Sequence, residues 1–319
     1  MMEKEKIIEA LAGTLDSTDF HDLGKLYSGK VRDVYIRDDK IFMITTDRVS
    51  AFDVILGTIP FKGQILTQVA NYWFDKSSGI VKNHIIDRPD PNVIVAKKCE
   101  TLPVEIVVRG YISGSMWRSY SSGERNMYGM QLPEGLRRDQ KFEKPIITPT
   151  TKAAVGHHDE PVSTADILSS GLVEKRTWEE VSNKSLELFE LGSKLSNSRG
   201  LILVDTKYEF GLLDGKLILI DEIHTPDSSR YWSAAEYSER FDAGKDQKML
   251  DKENLRQWLI ARGYSGSGKP PVLTDEVRVM LAEKYIELYE TMTGQEFNVS
   301  PESVSSRIKS NLKKHGYIV

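Results

Sequence analysis

Apolar residues follow two rhythms along the chain. One recurs every three to four positions and marks helices; the other recurs at every second position, or in short unbroken runs, and marks strands. The helical rhythm is clearest from Thr274 to Thr293, where Val277, Met280, Leu281, Tyr285, Leu288, Tyr289 and Met292 step through i+3 and i+4. Thr274 can cap that helix and Gly294 ends it. Thr177 to Leu195 repeats the spacing through Trp178, Val181, Leu188, Leu191 and Leu195, with Gly200 beyond its end, and Leu250 to Arg262 is closed by Gly263. Residues 5 to 15 predict a short amphipathic helix. Leu23 to Ser28, Val31 to Ile36 and Ile41 to Thr46 read as strands separated by a Gly29-Lys30 break and an Asp38-Asp39 turn, a β-rich opening. Further apolar runs at Val93 to Ala96 and Val104 to Val108 flank Pro103, which predicts a joint between an N-terminal lobe, residues 1–103, and a larger lobe, residues 104–319. From Ser119 to Val162 the chain is rich in Gly, Pro, Ser and charge and lacks periodicity. It is too long for an ordinary connection and is expected to be a functional excursion at the surface.

One strand pattern carries charge where folding alone does not need it. Asp205, Lys207 and Glu209 alternate with Thr206, Tyr208 and Phe210, and a period of two sends the charged set to one face. The apolar run Leu217 to Ile220 then ends in Asp221 and Glu222, as in a buried strand that delivers carboxylates at its tip. Carboxylates suit a hard cation such as Mg²⁺, which bridges to nucleotide phosphates. A simple two-residue Asp214-Gly215 turn would set Glu209 opposite Ile220 and turn Glu209 and Asp221 to opposite faces. A shared metal therefore predicts an odd connection or a bulge, with Gly215 at positive φ.

Composition narrows the classes. The chain has 319 residues, 39% hydrophobic and 28% charged, with a formal charge of −4, enough for two packed layers or two domains and with no basic excess for a polyanion. Small anions are better candidates than nucleic acid. The single cysteine, Cys99, cannot pair internally and has no obvious base beside it, so it reads as structural. The first residues carry acids rather than a signal-peptide core, and no stretch approaches the roughly twenty apolar residues of a membrane span. A cytoplasmic protein without membrane contact is expected.

Four short motifs could bind anions. LYSGKVRDVY places Ser28, Gly29 and Lys30 at a tight turn between strands with Arg32 following, so backbone and cations could approach phosphates, though a plain hairpin would read the same. TTDRVSAFD gathers Asp47, Arg48, Ser50 and Asp53 in one loop, as a substrate site or as caps and turns. IVVRGYISGSMWR ends a strand in Arg109 and continues through Ser113, Gly114 and Ser115, which suits a phosphate or carboxylate cradle, or an arginine closing a strand end on a nearby acid. DSSR, Asp227 to Arg230, repeats the theme or forms a capped turn. His157, His158 and His224 have no metal-ligand spacing and read as surface or satisfied core histidines.

In order, LYSGKVRD, RVSAFD, VVRGYISGS, TPTTKAAVGHHDEPVS, DTKYEFG and DEIHTPDSSRYW resemble the SAICAR synthetase family over roughly residues 20 to 260, in its longer single-chain form. The resemblance implies an α+β fold of two lobes similar to kinase and ATP-grasp architecture, with nucleotide between them. It implies an ATP- and Mg²⁺-dependent ligase of purine biosynthesis that joins L-aspartate to the carboxylate of carboxyaminoimidazole ribotide (CAIR). A monomer is favoured for the long form. Carried over by position, Ser28, Gly29, Lys30 and Arg32 would cover ATP phosphates, Lys98 would begin the hinge that meets adenine, and Glu209 with Asp221 would hold Mg²⁺. Arg109, Ser115 and Arg230 would grip the ribotide's phosphate and carboxylate, Ser113 and Asp205 would bind substrate, and Ser50 and Asp53 would face the substrate side. Lys207 and Asp227 would line the same pocket as catalytic groups with Lys30. Lys152, followed by His157, Asp159 and Glu160, would close over substrates. Two alternatives stand beside this: a kinase-like small-molecule phosphotransferase, which lacks HRD and DFG motifs here, and a nucleotide-binding module without catalysis.

Overall fold

A computed structural model of the chain describes residues 2–152, 160–250 and 252–319. Helices and antiparallel sheets divide into two compact units: the chain up to Tyr72 with His84–Lys98 and Leu250–Val319, and Trp73–Asn83 with Cys99–Met249. Each is described by itself.

The first unit opens with α1 (Lys4–Glu9), then β1 (Lys25–Ser28), β2 (Arg32–Arg37), β3 (Lys40–Thr45), β4 (Arg48–Ala51) and β5 (Val54–Thr58). Helix α2 (Lys62–Ser77) leaves it at Tyr72, and β6 (Ile85–Asp90) and β7 (Val93–Lys97) return to it. Five strands form a sheet in the order β1-β2-β3-β7-β6, and β4 pairs with β5 as a separate hairpin. Strand β3 shows why: Phe42 and Ile44 point into one core and Met43 into another, the alternation a pleated strand demands.

Elements of the second unit follow in chain order. They are β8 (Glu100–Tyr111), α3 (Gly114–Ser121), β9 (Asn126–Met127), β10 (Met130–Gln131), β11 (Lys141–Thr151), α4 (Thr164–Ser169) and α5 (Lys175–Asn197). After these come β12 (Leu201–Leu213), β13 (Lys216–Ile220), β14 (Ser229–Ser233) and α6 (Tyr237–Asp242). The sheet runs β11-β8-β12-β13, and β14 pairs with the first half of β12. The tail of the chain, α7 (Glu253–Ile260), α8 (Asp275–Thr293) and α9 (Val304–Lys314), belongs to the first unit.

The α8 expectation holds at both ends, since Thr274 accepts from the Val277 amide and Gly294 adopts φ 70°. Four other expectations are corrected. Pro103 is no joint: it lies inside β8, and the chain changes unit between Lys98 and Cys99. The proline is tolerated because β8 pairs with β12 at Glu105↔Glu209 and next at Thr101↔Gly211, a bulge in which Pro103 has no ladder bond to donate. The C-terminal helices do not join the larger lobe. Ile308, Leu312 and Ile318 pack with Phe42, Ile44, Val93 and Val95 on the first sheet, and Arg307 donates to Asp90 and Asn92 beneath them. The stretch from 119 to 162 is not a wholly irregular excursion, because β11 pairs with β8 from Val104↔Thr151 to Arg109↔Ile146. Its Pro145 and Pro149 had masked a strand. Finally, the 214–215 hairpin is regular, with Leu213 opposite Lys216 and Glu209 opposite Ile220. Asp214 (φ 51°) and Gly215 (φ 72°) form the two-residue turn with both residues left-handed. The irregularity sits one residue past the strand instead, at Asp221, whose φ is 63°.

Candidate active site

The face of β12 that carries Asp205, Lys207 and Glu209 holds two ion clusters, while Tyr208 and Phe210 are buried on its other side. Register explains both. Asp205 lies opposite Arg109 of β8 on one flank and opposite Arg230 of β14 on the other, and Glu209 lies opposite Glu105.

At the first cluster, Arg109 Nη1 donates to Asp205 Oδ2 at 3.0 Å and its Nε to Thr148 at 2.9 Å. Arg230 Nη2 stands 3.2 Å from the same Asp205 oxygen, and its Nη1 reaches the Ser113 hydroxyl at 3.3 Å. Two planar guanidiniums thus share one carboxylate oxygen. Ser113 is the residue before α3, yet its hydroxyl makes no capping bond to that helix. Gly114, at φ 58°, lets the guanidinium lie against the helix start: a Cβ there would meet Arg230 atoms at 2.0 to 2.4 Å. Asp139 joins the group. Burial pushes its carboxyl up, against a hydrogen bond from Ser113 and the charges of Arg138 and Arg230. Arginines beside a helix N-terminus make an anion cradle.

The second cluster reverses the balance. Lys207 Nζ donates to Glu105 at 2.7 Å and to Glu209 Oε1 at 2.5 Å, and Lys152 pairs with Glu209 Oε2. Like charges directly opposite, as Glu105 and Glu209 are, repel across a ladder; Lys207 on the same face resolves the repulsion. Burial alone would lower the Lys207 ammonium, but Glu209, Asp221 and Glu105 hold it well above the ordinary lysine value. Burial likewise opposes ionisation of Glu209, and Lys207 with Lys152 keeps it ionised far below the usual carboxylate range. Asp221 thus adds its negative charge to the field that acts on Lys207. No set of three His, Cys, Asp or Glu groups able to hold a metal stands together among the described residues. Mg²⁺, however, takes one or two protein carboxylates and completes its shell with phosphates and water, so the Glu209–Asp221 donor set fits such an ion. The positive charge beside these carboxylates is now supplied by ammonium groups.

In the first unit, the Gly29-Lys30 turn is held from beneath. Buried Arg48 donates to Gly29 O at 2.9 Å, to Lys30 O at 3.4 Å and to Asp33 at 2.8 Å, while Asp33 accepts from Ser28 at 2.7 Å. Lys30 pairs with Asp53, both more than half exposed, and such a pair contributes at most about 1 kcal/mol. Exchanging Asp53 for a phosphate would cost little. Phe52 (φ 50°) and Asp53 (φ 64°) are consecutive non-glycine residues in left-handed conformation, local strain of the kind found at functional turns.

The remaining expectations fall unevenly. Arg32 and Asp227 are half-buried, Ser115 and Lys98 exposed, and Ser50 buried in β4 opposite Ile55. His157 and Asp159 lie outside the described residues, and Glu160 is exposed. His224 is a core histidine, but only half satisfied: its Nε2 is 2.5 Å from the Tyr208 hydroxyl while its buried Nδ1 has no hydrogen-bond partner among the described residues. Glu105, Asp139, Thr148, Asp33 and the supporting role of Arg48 were not anticipated. For Glu105 the only signal is strand pairing: it shares with Arg109 the period-two face of β8, which matters only once β8 is known to lie beside β12.

A strand face with an arginine cradle at one end and a carboxylate–lysine cluster at the other suits charged small molecules. A sequence profile of the SAICAR synthetase family matches residues 25–271. A phosphoribosylaminoimidazole-succinocarboxamide synthase of Legionella pneumophila is 48% identical over 300 residues, covering 91% of this chain and 95% of its own. One from Bacteroides thetaiotaomicron is 47% identical over 305 residues, covering 93% and 97%. Among solved structures, SAICAR-synthase from Saccharomyces cerevisiae complexed with SAICAR superposes with a TM-score of 0.79 at 33% identity, over 90% of this chain and 100% of that one. A type-2 SAICAR synthetase in complex with ADP reaches 0.66 at 25% identity, over 86% and 100%. The chain belongs to the SAICAR synthetase family.

Proposed function

We propose that the chain is an ATP-dependent ligase of purine biosynthesis that joins L-aspartate to the carboxylate of CAIR, giving SAICAR, ADP and phosphate. One observation carries the reading at residue level: β12 aligns an arginine cradle and a carboxylate–lysine cluster on one face, four residues or roughly 13 Å apart. A ribotide brings a phosphate and a carboxylate, and the Arg109–Asp205–Arg230 group with Ser113 suits planar, forked recognition of either.

A carboxylate is a poor electrophile. Phosphorylation by ATP turns it into an acyl phosphate, and the aspartate amine then displaces phosphate. The chain's own work is positioning and charge balance, and no covalent nucleophile is required. Lys30 and the Gly29 amide region, with Ser28 and Arg32, are assigned to the ATP phosphates. Lys207 stays protonated and places fixed positive charge beside Glu209, so its role is electrostatic rather than that of a base. Glu209 and Asp221 would hold Mg²⁺, which supplies charge neutralisation and orientation of the transferred phosphoryl group. Asp227, in the loop before Arg230, is assigned to the substrate side with Ser115, Ser50 and Asp53, and Lys98 to the adenine side. A cytoplasmic location and a monomeric state accompany this reading; light scattering on the purified protein checks the latter.

The kinase-like alternative is not favoured. The deciding experiment is incubation with ATP, CAIR and L-aspartate: ADP release that requires aspartate, with SAICAR formed, supports the ligase. Release indifferent to aspartate would make the protein a transferase.

A further inference from the structure

Glu209, one of the two carboxylates assigned to the metal, is already satisfied, and by what it is satisfied is informative. Both oxygens of Glu209 carry ammonium partners, Lys207 on Oε1 and Lys152 on Oε2. A divalent ion bonds a carboxylate oxygen at about 2.0–2.1 Å, and an ammonium held on that same oxygen sets two like charges against each other at close range. Releasing one lysine relieves that repulsion. Lys207 is gripped by Glu105 and Glu209 and lies in the field of Asp221. Lys152 follows the last residue of β11, its side chain is one-third exposed, and its ion pair among the described residues is with Glu209. Its backbone is fixed independently, the amide donating to Pro103 O at 3.0 Å, so the side chain can swing without unpairing the strand. Charge agrees. Glu105, Glu209 and Asp221 face two ammoniums and leave one negative charge unbalanced; a divalent ion in place of Lys152 makes the cluster neutral.

We propose that Lys152 is a built-in counter-ion occupying the cation position on Glu209, and that metal loading here is an exchange of its ammonium for the divalent ion. The proposal rests on the reading of Glu209 as a metal ligand. It assigns Lys152 a role before substrates arrive, distinct from closing over them. Without it, the metal-free enzyme would hold a buried carboxylate cluster two charges short, which folding would resist. With it, the cluster is stable unloaded, at the cost of a weaker grip on the ion.

The test is Mn²⁺ binding to the substrate-free protein, followed by the electron paramagnetic resonance signal of free Mn²⁺. Lys152→Met should tighten binding by about tenfold or more, and Lys152→Arg, which keeps the charge, should not. The gain should persist in 1 M KCl, where the Debye length is about 3 Å and distant charges no longer contribute. Adding Glu209→Gln should erase it. Lys152→Gln serves as a second neutral variant, with thermal melts confirming that each folds. Unchanged or weaker Mn²⁺ binding in both neutral variants, while Glu209→Gln alone still weakens it, overturns the exchange and leaves the metal assignment standing. A gain that disappears in 1 M KCl also overturns it. Binding indifferent to Glu209→Gln removes both.

Discussion

At Asp205 two guanidiniums converge on one carboxylate oxygen; four residues along the same face of β12, two ammoniums converge on the Glu209 carboxylate with Glu105 and Asp221 beside them. Period, strand and burial are shared, so the difference lies in the type of cation. Arginine is a planar fork whose direction is set by its bonds, and it serves where an anion's shape must be recognised. Lysine is a compact point charge that another cation can replace. One end of the strand is thus built for fixed geometry and the other for exchangeable charge.

Glu209→Gln attacks the exchangeable end and should have the largest effect. With the charge gone, Lys207 keeps Glu105 and Asp221, but the cation position is lost. A fall in kcat/KM of about 10²–10³ is expected, in the range for removing one preorganised electrostatic group. Steady-state kinetics should locate the loss in the metal-nucleotide dependence, with CAIR affinity nearly unchanged. An equal loss in CAIR affinity would show that the two ends act as one site, and the contrast would fail.

Gly114→Ala attacks the fixed end without touching a charge. The new methyl requires space now filled by the Arg230 guanidinium and a left-handed backbone that alanine resists. Displacing the fork should weaken ribotide binding by roughly 10- to 100-fold, about 1.4–2.7 kcal/mol. Calorimetry with CAIR measures it, and Mn²⁺ binding at Glu209 should not move. Arg230→Lys is milder: the charge stays and the fork goes, so about a tenfold loss of CAIR affinity is expected. An altered ATP dependence instead would remove Arg230 from the ribotide.

Much of this was legible in the residues, for identifiable reasons. Alternation of Asp205, Lys207 and Glu209 with Tyr208 and Phe210 fixes the charged face without knowledge of the fold, because a strand's period is two. The caps of α8 are local signals too. Glu105 was invisible, since what gives it meaning is pairing with Glu209 across roughly a hundred residues of chain, and Asp139 because its place beside Ser113 and Arg230 depends on tertiary packing. Pro103 misled because a proline between two apolar runs punctuates most sequences, and only the bulge opposite Phe210 shows how one strand can contain it. The hairpin expectation failed instructively: the two-residue turn is regular, and the departure from ideal strand geometry is one left-handed residue at the strand's end, Asp221, which no turn signal in the sequence marks.

The opposite face of β12 supplies a control for both ends. There Tyr208 meets His224, a histidine that burial keeps neutral by pushing its pKa from 6.5 down to about 3. Between those values the unfolded chain binds a proton at this position and the folded chain does not, so stability falls as pH falls; above 6.5 neither state binds one and the dependence vanishes. From pH 7.5 to 5.5 this group alone removes about 1.4 kcal/mol. His224→Gln deletes the proton site while a polar side chain remains for the Tyr208 hydroxyl, so its urea midpoints should fall less steeply over that interval than those of the parent. The comparison is one of slopes, because the close approach of Gly192 to the imidazole, where a Cβ would lie 2.3 Å from Cε1, means that any replacement also shifts absolute stability. Identical slopes would mean that His224 titrates in the fold as it does in the unfolded chain. The imidazole would then gain charge against Tyr208 over that interval, and the division of the strand into a charged face and a neutral one would have to be abandoned.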